Sequence, residues 1–380
     1  MKILMFSDNF GGRTTTFIYN EVEYLSQKHD LLYLCNKSIN DNQFSYDYVD
    51  VIQYNWNSFF KKIQWKLWQS DLHLSFKNKD FANELNKEIE KFKPDIIHCH
   101  FGFEALKILE NIRNKNIPIV VHFHGYCASQ MMLKKSYARK MKYYLSQKNV
   151  FPIFVTEHFR KRFQDNKINV SKSILLYCGI DTEKFKRNHY TKKDKKTFLQ
   201  VSSLAEKKGQ EFTIRAFAQF IEKEGNKNFQ LVITGDGANK ELLIRLTQDL
   251  NIADYVKFVG NVSHQQAKEL MESADFFVHH SVTATNGDQE GIPNAIMEAM
   301  AMELPIISTF HSGIPELVKD GVNGYLVQEK DIKTYAQRMH DILNWDYKTE
   351  NRQRVIDYFE YYKHNQQLEE FYTKIIGITK

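Results

Sequence analysis

Apolar and polar positions alternate along this chain in two rhythms, and the switch between them recurs. Residues 2–6 (KILMF) are a short apolar run ending in SDNFGG, a pattern that predicts a buried strand followed by a glycine turn. FIYNEVEYL (17–25) then carries apolar residues at helical spacing, and LLYLCN (31–36) reads as the next strand. Strand, turn, helix and strand in that order predict a βαβ unit with a parallel sheet. PDIIHCHF (94–101), IPIVVHFHG (117–125), FPIFVTEHF (151–159) and SILLYCGID (173–181) read as further strands, with a helix over 103–114 and a basic amphipathic stretch over 131–147. Residues 37–75 are aromatic and irregular and yield no element.

A boundary is expected at 186–197, KRNHYTKKDKKT, twelve residues without an aliphatic side chain. A second series follows. Strands are predicted at 198–204, 229–237, 255–260, 275–281, 304–310 and 324–327, and helices at 209–221, 240–250 and 264–274. The pattern therefore predicts two α/β domains, over 1–185 and 198–345. Ligands of open parallel sheets sit at the carboxyl ends of the strands, so two such edges facing each other would enclose a deep cleft. Helices are also expected at 331–343 and 350–373. Val355, Tyr358, Phe359, Leu368, Phe371 and Tyr372 are their apolar anchors.

With 380 residues, 42% of them hydrophobic, the chain has ample core for two domains. Its four cysteines, Cys35, Cys99, Cys127 and Cys178, stand far apart with no CxxC pair. A disulfide framework or a structural zinc site of cysteines is not expected, and a reducing cytoplasm suits the pattern. The N-terminal apolar run is too short for a signal peptide, and no stretch nears the roughly 20 apolar residues that span a bilayer.

The net charge of +6 is modest, but basic residues cluster at Lys61, Lys62 and Lys66, over 134–144 and at Lys161 and Arg162. Nucleic-acid binding is not expected, for no zinc-finger spacing or RNA-binding signature accompanies the charge. In MMLKKSYARKMKYYLSQK (131–148), Met131, Met132, Leu133, Tyr137, Met141, Tyr144 and Leu145 recur at helical intervals among lysines. One reading is a peripheral helix on an anionic membrane at the cytoplasmic face. The other is a helix whose apolar face packs into the first domain.

Candidate chemistry gathers after the strands. Gly11 and Gly12 form a tight turn after the first strand, and GDG at 235–237 can bring the amides of Gly235 and Gly237 near a phosphate. No GxGxxG occurs. The richest segment is GDQEGIPNAIMEAMAMELPIISTFHSGIPELVKDG (287–321). Glu290 precedes a helix expected to carry Pro293 in its first turn, and Glu298 lies about one turn inside. Gly291, Ile292, Pro293 and Asn294 lie between them, where backbone amides can meet an anion. Glu290 can accept hydrogen bonds from sugar hydroxyls and Glu298 can take both hydroxyls of a ribose. The alternative is a capped helix with two solvated glutamates. Met297, Ala299, Met300 and Ala301 favour a buried helix, where an unused carboxylate is costly.

The string EGIPNAIMEAMAMELPIISTFHSGIPELVKDGVNGYLV resembles the family-4 retaining glycosyltransferases, in the branch that builds bacterial exopolysaccharide, capsule and lipopolysaccharide. The resemblance is densest over 259–327 and thin before residue 90. It implies the GT-B fold, two Rossmann-like domains facing across a cleft, with the last residues, 355–380, packing back onto the first. The glutamate–seven–glutamate motif of that family is matched by Glu290 and Glu298. The family's arginine and lysine, which hold the donor diphosphate, fall on VSSLAEKKG (201–209). Lys208 matches the lysine, but Ser203 stands at the arginine position and brings no charge, leaving Lys207 to compensate. The family's histidine–glycine matches His124–Gly125. Cys127 replaces an acidic residue and Cys178 an asparagine.

The resemblance therefore implies a nucleoside diphosphate sugar, UDP- or GDP-linked, as donor. A saccharide or lipid-linked saccharide is the implied acceptor, and no cofactor or metal is required. Lys208, Glu290 and His124 would be the catalytic groups. A sugar-nucleotide epimerase of similar fold and a catalytically inactive nucleotide-sugar-binding subunit are the alternatives. HCH (98–100) and HFH (122–124) place His98 with His100 and His122 with His124 on strand faces. Two such pairs suit zinc, but strand-end or site histidines are the expected reading.

Overall fold

The structure, a computed structural model, describes residues 1–11, 16–39, 48–52, 71, 75–188, 195–225, 228–345 and 350–379. Gly12, Lys61, Lys62 and Lys66 lie outside the described residues. The chain forms two compact units, Met1–Gly179 with Tyr361–Lys380, and Ile180–Glu360.

In the first unit the strands are β1 (Lys2–Phe10), β2 (Asp30–Ser38), β3 (Val49–Val51), β4 (Ile96–His100), β5 (Ile119–Phe123), β6 (Val150–Phe154) and β7 (Ile174–Leu175). They make one parallel sheet in the order β3-β2-β1-β4-β5-β6-β7. Both faces are covered, which is why these strands read as unbroken apolar runs. Leu4, Phe6, Cys99, Val121 and Phe123 face one core and Ile3, Met5, Tyr33, Ile96 and Val120 the other. The first core is closed by α2 (Lys79–Phe92), α3 (Gly102–Asn111), α4 (Gly125–Ala128), α5 (Lys135–Leu145) and α6 (Glu157–Asp165). The second is closed by α1 (Thr16–Ser26) and by the C-terminal helix Tyr361–Thr379.

Several elements differ from the pattern reading. The apolar run 151–159 is strand only to Phe154. The Thr156 hydroxyl then accepts the Phe159 N–H at 3.1 Å and caps α6. Of 173–181 only two residues pair as a strand. Within 37–75, which yielded no element, β3 forms, and α2 follows it over Lys79–Phe92. The latter is capped by Asn78, whose side chain accepts from the amides of Asp80 and Phe81.

For the basic stretch after residue 130 the packing favours the second of its two readings. Met131, Met132, Tyr137, Met141 and Leu145 are all buried in the first core, so this apolar face is already occupied by protein. Leu133 and Tyr143 remain exposed, and Lys140 pairs with Glu110 at 2.5 Å. Among the described residues no helix is long and apolar enough to cross a membrane.

The second unit holds β8 (Lys196–Gln200), β9 (Phe229–Ile233), β10 (Val256–Phe258), β11 (Phe276–Val278), β12 (Ile306–Thr309) and β13 (Tyr325–Val327). Their parallel order is β10-β9-β8-β11-β12-β13. Helices α7 (Gln210–Glu224), α8 (Lys240–Asp249), α9 (His264–Ser273), α10 (Asn294–Ala301), α11 (Ile314–Leu317), α12 (Ile332–Asp341) and α13 (Asn351–Tyr358) complete it.

Residues 180–188 belong here, so the second unit begins before the charged run expected as the boundary and takes in its first residues. One guanidinium nitrogen of Arg352 donates to the carbonyls of Thr182, Phe185 and Ala301 at 3.0, 3.0 and 2.9 Å, and Phe185 is buried. The expected helix over 350–373 is two helices. Val355 and Phe359 are buried in the second unit, while Tyr358, expected as an anchor, is 62% exposed. The last helix, α14 (Tyr361–Thr379), buries His364, Leu368, Phe371, Tyr372 and Ile375, a helical stripe, in the first unit.

Candidate active site

In each sheet the order reverses beside its first strand, between β1 and β4 and between β8 and β11. Loops leaving such neighbours diverge and leave room for a ligand at their carboxyl ends. At the second switch point those loops carry charge.

Lys207 and Lys208 lie on a 3-10 turn, Glu206–Lys208, directly after β8. The turn is pinned at both ends. The Gln200 side-chain amide donates to the Lys208 carbonyl at 2.8 Å, and the Val282 N–H to the Lys207 carbonyl at 3.0 Å. Gly209 closes it in the left-handed region, φ +61°, and a Cβ there would stand 1.7 Å from the His280 carbonyl oxygen. From the facing loop Glu290 meets both lysines. Lys208 Nζ reaches Oε2 at 2.8 Å and Lys207 Nζ reaches Oε1 at 3.2 Å, while Lys207 also pairs with Asp288 at 2.9 Å. Burial works to raise the Glu290 pKa, yet the Lys208 and Lys207 cations outweigh it and hold the carboxylate far below the ordinary range. The group stays ionised and acceptor-only across the physiological range.

Three residues that spacing alone did not single out support Glu290. Its N–H donates to His311 Nε2 at 3.1 Å, and His311 Nδ1 meets Glu329 Oε1 at 2.6 Å. With Nε2 accepting, the ring proton lies on Nδ1. Glu329 also accepts the Thr283 N–H at 2.8 Å and its hydroxyl at 3.2 Å. The signal for His311 was its place just after β12, at the same sheet edge.

Glu298 lies inside α10, whose residues Ile296 to Ala301 are all buried. Pro293 is not in the first turn. It precedes the helix in an extended conformation, φ −63° and ψ 123°, and Asn294 is the first helical residue. The Gly291 carbonyl accepts the Gly313 N–H at 3.2 Å, tying the loop of Gly291 and Ile292 to that of His311. Burial pushes the Glu298 carboxyl up to about 7, with the Lys184 cation acting against it. A folded-state pKa above the unfolded one means the wild type loses stability, relative to Glu298→Gln, as pH rises from about 5 to about 8, by at most about 3 kcal/mol. Urea unfolding of both proteins at the two ends of that window measures the difference. A difference independent of pH contradicts a buried neutral carboxyl.

The amides of the GDG turn bond within the unit. The Gly235 N–H donates to the Gly260 carbonyl at 2.7 Å and the Gly237 N–H to the Asp236 carboxylate at 2.9 Å, so both amides are engaged. Both glycines have positive φ, and Cβ atoms there would stand 2.0 Å from the Ser202 carbonyl oxygen and 2.8 Å from that of Leu204. They permit close packing against the lysine loop. Ser203, where the resemblance expects arginine, is exposed.

In the first unit Gly11 ends β1 with φ +81°. His124 ends β5 and is buried, with its Nε2 3.5 Å from His100 Nδ1 and its ring centroid 4.5 Å from that of Phe17. Burial, then the His364 charge, lower its pKa to about 3, so the ring is neutral. Cys127, in place of the expected acid, closes the turn: its thiol accepts the His124 N–H at 3.2 Å.

Two Rossmann-like sheets of this order, each with its own helices, define a GT-B glycosyltransferase fold. Residues 14–184 match the family model described as glycosyltransferase family 4, and residues 181–360 that described as glycosyl transferases group 1. The chain belongs to the family-4 glycosyltransferases. It is 32% identical over 254 residues to WcaL of Escherichia coli K12, a glycosyltransferase named for colanic acid biosynthesis, over 65% of this chain and 61% of WcaL. It spans about three fifths of the length of the curated relatives it matches. Among solved structures, a glycosyltransferase from Rickettsia africae ESF-5 matches with a TM-score of 0.79 at 17% identity, over 99% of this chain and 98% of that one. Anabaena HepE, solved with UDP-glucose, matches with a TM-score of 0.75 at 18% identity, over 98% and 100%. These two likenesses show the fold.

Proposed function

We propose that this chain transfers a glycosyl group from a nucleoside diphosphate sugar to a saccharide or lipid-linked saccharide in the assembly of a cell-surface polysaccharide, with retention at the anomeric carbon. The observation that carries the reading is the pair of lysines locked on Glu290 at the switch point of the second sheet. In transfer the bond from the anomeric carbon to the diphosphate oxygen breaks, and a bond from that carbon to the acceptor oxygen forms. The acceptor proton passes to the departing phosphate. Charge builds on the diphosphate, and Lys208 is the cation placed to meet it. Lys207 supplies the second positive charge that Ser203 does not. Glu290, held ionised, accepts from hydroxyls of the donor sugar. Glu298 binds the ribose, the backbone of Gly291, Ile292, Pro293 and Asn294 lies along the donor, and neutral His124 is the histidine that the family resemblance assigns to the sugar. The name of WcaL and the UDP-glucose bound to HepE support this reading of donor and pathway class.

The test is a panel of UDP- and GDP-sugars with free and lipid-linked saccharide acceptors, followed by determination of the anomeric configuration of the product. Nucleoside diphosphate is expected to be released only with both substrates present, and the new linkage to keep the donor's configuration. Isomerised sugar nucleotide without acceptor would show an epimerase. Donor binding without release in any combination would show a binding subunit.

A further inference from the structure

On the face of the first sheet covered by α1 and α14, four buried side chains converge away from the lysine–glutamate site. His100 and His122 are register partners on the neighbouring strands β4 and β5, and His98 precedes His100 by two residues on the same face. Glu21 reaches them from α1. One ligand atom from each of Glu21, His98, His100 and His122 lies within 4.8 Å of all the others. The histidines are 0% exposed and Glu21 1%.

Five polar atoms in this cluster have no partner in hydrogen-bond geometry: Glu21 Oε2, His98 Nε2, His100 Nε2 and both ring nitrogens of His122, with His100 Nε2 and Glu21 Oε2 standing 3.4 Å apart. Each buried orphan costs about 1–3 kcal/mol, and native interiors leave few of them. The other polar atoms of His98, His100 and Glu21 are held, while His122 has none that is. His98 Nδ1 meets the Tyr372 hydroxyl at 2.5 Å, and His100 Nδ1 meets His124 Nε2 at 3.5 Å. Glu21 Oε1 meets His364 Nε2 at 3.1 Å, and His364 Nδ1 the Tyr177 carbonyl at 2.6 Å. Outer partners that fix ring and carboxylate orientation while inner atoms point at a common centre are the usual support of a metal site.

We propose that Glu21, His98, His100 and His122 bind one zinc ion in a closed, four-coordinate site that ties α1 to β4 and β5. Three imidazole nitrogens and one carboxylate oxygen suit zinc better than the oxygen-seeking magnesium or calcium. The protonation states agree. Burial holds the pKa of each of the three histidines far down, leaving them neutral with a lone pair to give. With every ligand buried the ion is structural. It takes no part in transfer, and the inference does not rest on the transferase reading. The sequence pairs His122 with His124; the fold brings Glu21 into the set instead, and His124 sits behind His100.

The test uses full-length protein without a histidine tag. Elemental analysis of protein grown with added zinc is expected to find about one ion per chain. Folded Glu21→Gln and His100→Asn variants are expected to hold below about a tenth of an ion. Chelator-treated wild type, given cobalt(II), is expected to show the visible absorption of four-coordinate cobalt. It is also expected to unfold at higher temperature with zinc than without. Wild type that takes up neither ion overturns the proposal, leaving the cluster a neutral polar network. Zinc retained in both variants overturns it too, by placing the metal elsewhere. If the variants fail to fold, the cobalt spectrum of the wild type decides.

Discussion

Lys208→Ala is expected to lower kcat/KM for glycosyl transfer about 10²–10³-fold, the usual cost of removing one preorganised group that meets charge developing in a transition state. The ammonium is already in place before any donor arrives. Its loop is pinned by Gln200 and Val282, and its Nζ stands 2.8 Å from Glu290. The loss is expected in kcat as well as KM, because charge on the departing diphosphate is greatest as the bond breaks. Lys207→Ala serves as the comparison. Lys207 shares its charge between Asp288 and Glu290, so its loss should cost less, of order tenfold. Steady-state kinetics with circular dichroism as a folding control separate these outcomes. A Lys208→Ala enzyme within about twofold of wild type would remove Lys208 from the mechanism.

Gly209→Ala is expected to destabilise the protein by about 2–4 kcal/mol, from backbone strain in the left-handed region together with overpacking. The added Cβ would stand 1.7 Å from the carbonyl oxygen of His280, so the lysine turn and the end of β11 must separate. Gly225→Ala isolates the two contributions. Gly225 has nearly the same φ, +62°, but nothing lies within 4 Å of its would-be Cβ. It should therefore cost only the strain, about 1–2 kcal/mol. Chemical denaturation of the two variants gives the difference directly. Equal losses would show that the carbonyl of His280 yields without cost.

Much of the fold was legible because it is encoded by neighbours. A buried parallel strand needs a short apolar run and a covering helix needs a 3.6-residue stripe, and both are written within a dozen residues. Strands β1, β2, β4, β5 and most of the second sheet were read this way. So was the buried helix carrying Glu298. Where the local signal was ambiguous the reading failed. The apolar run 151–159 holds both strand and helix, and a capping bond from Thr156 divides them. The amphipathic face around Tyr137 and Met141 fits lipid and protein equally by its periodicity, and only packing into the first core decides.

The candidate site divides along the same line. Glu290 and Glu298 could be singled out from their own segment, one before and one inside a buried helix, and Lys208 only through the family resemblance. That Lys208 and Glu290, 82 residues apart, touch depends on β8 and β11 lying side by side, which a parallel sheet achieves only through long crossovers. The tertiary structure likewise set His311 and Glu329 behind Glu290, bonded the amides of Gly235 and Gly237 within the unit, and gathered Glu21 with three histidines. Spacing along a chain states which way a side chain faces on its own element. Which elements become neighbours is settled by the core they share, and the chemistry of these buried groups follows from that neighbourhood.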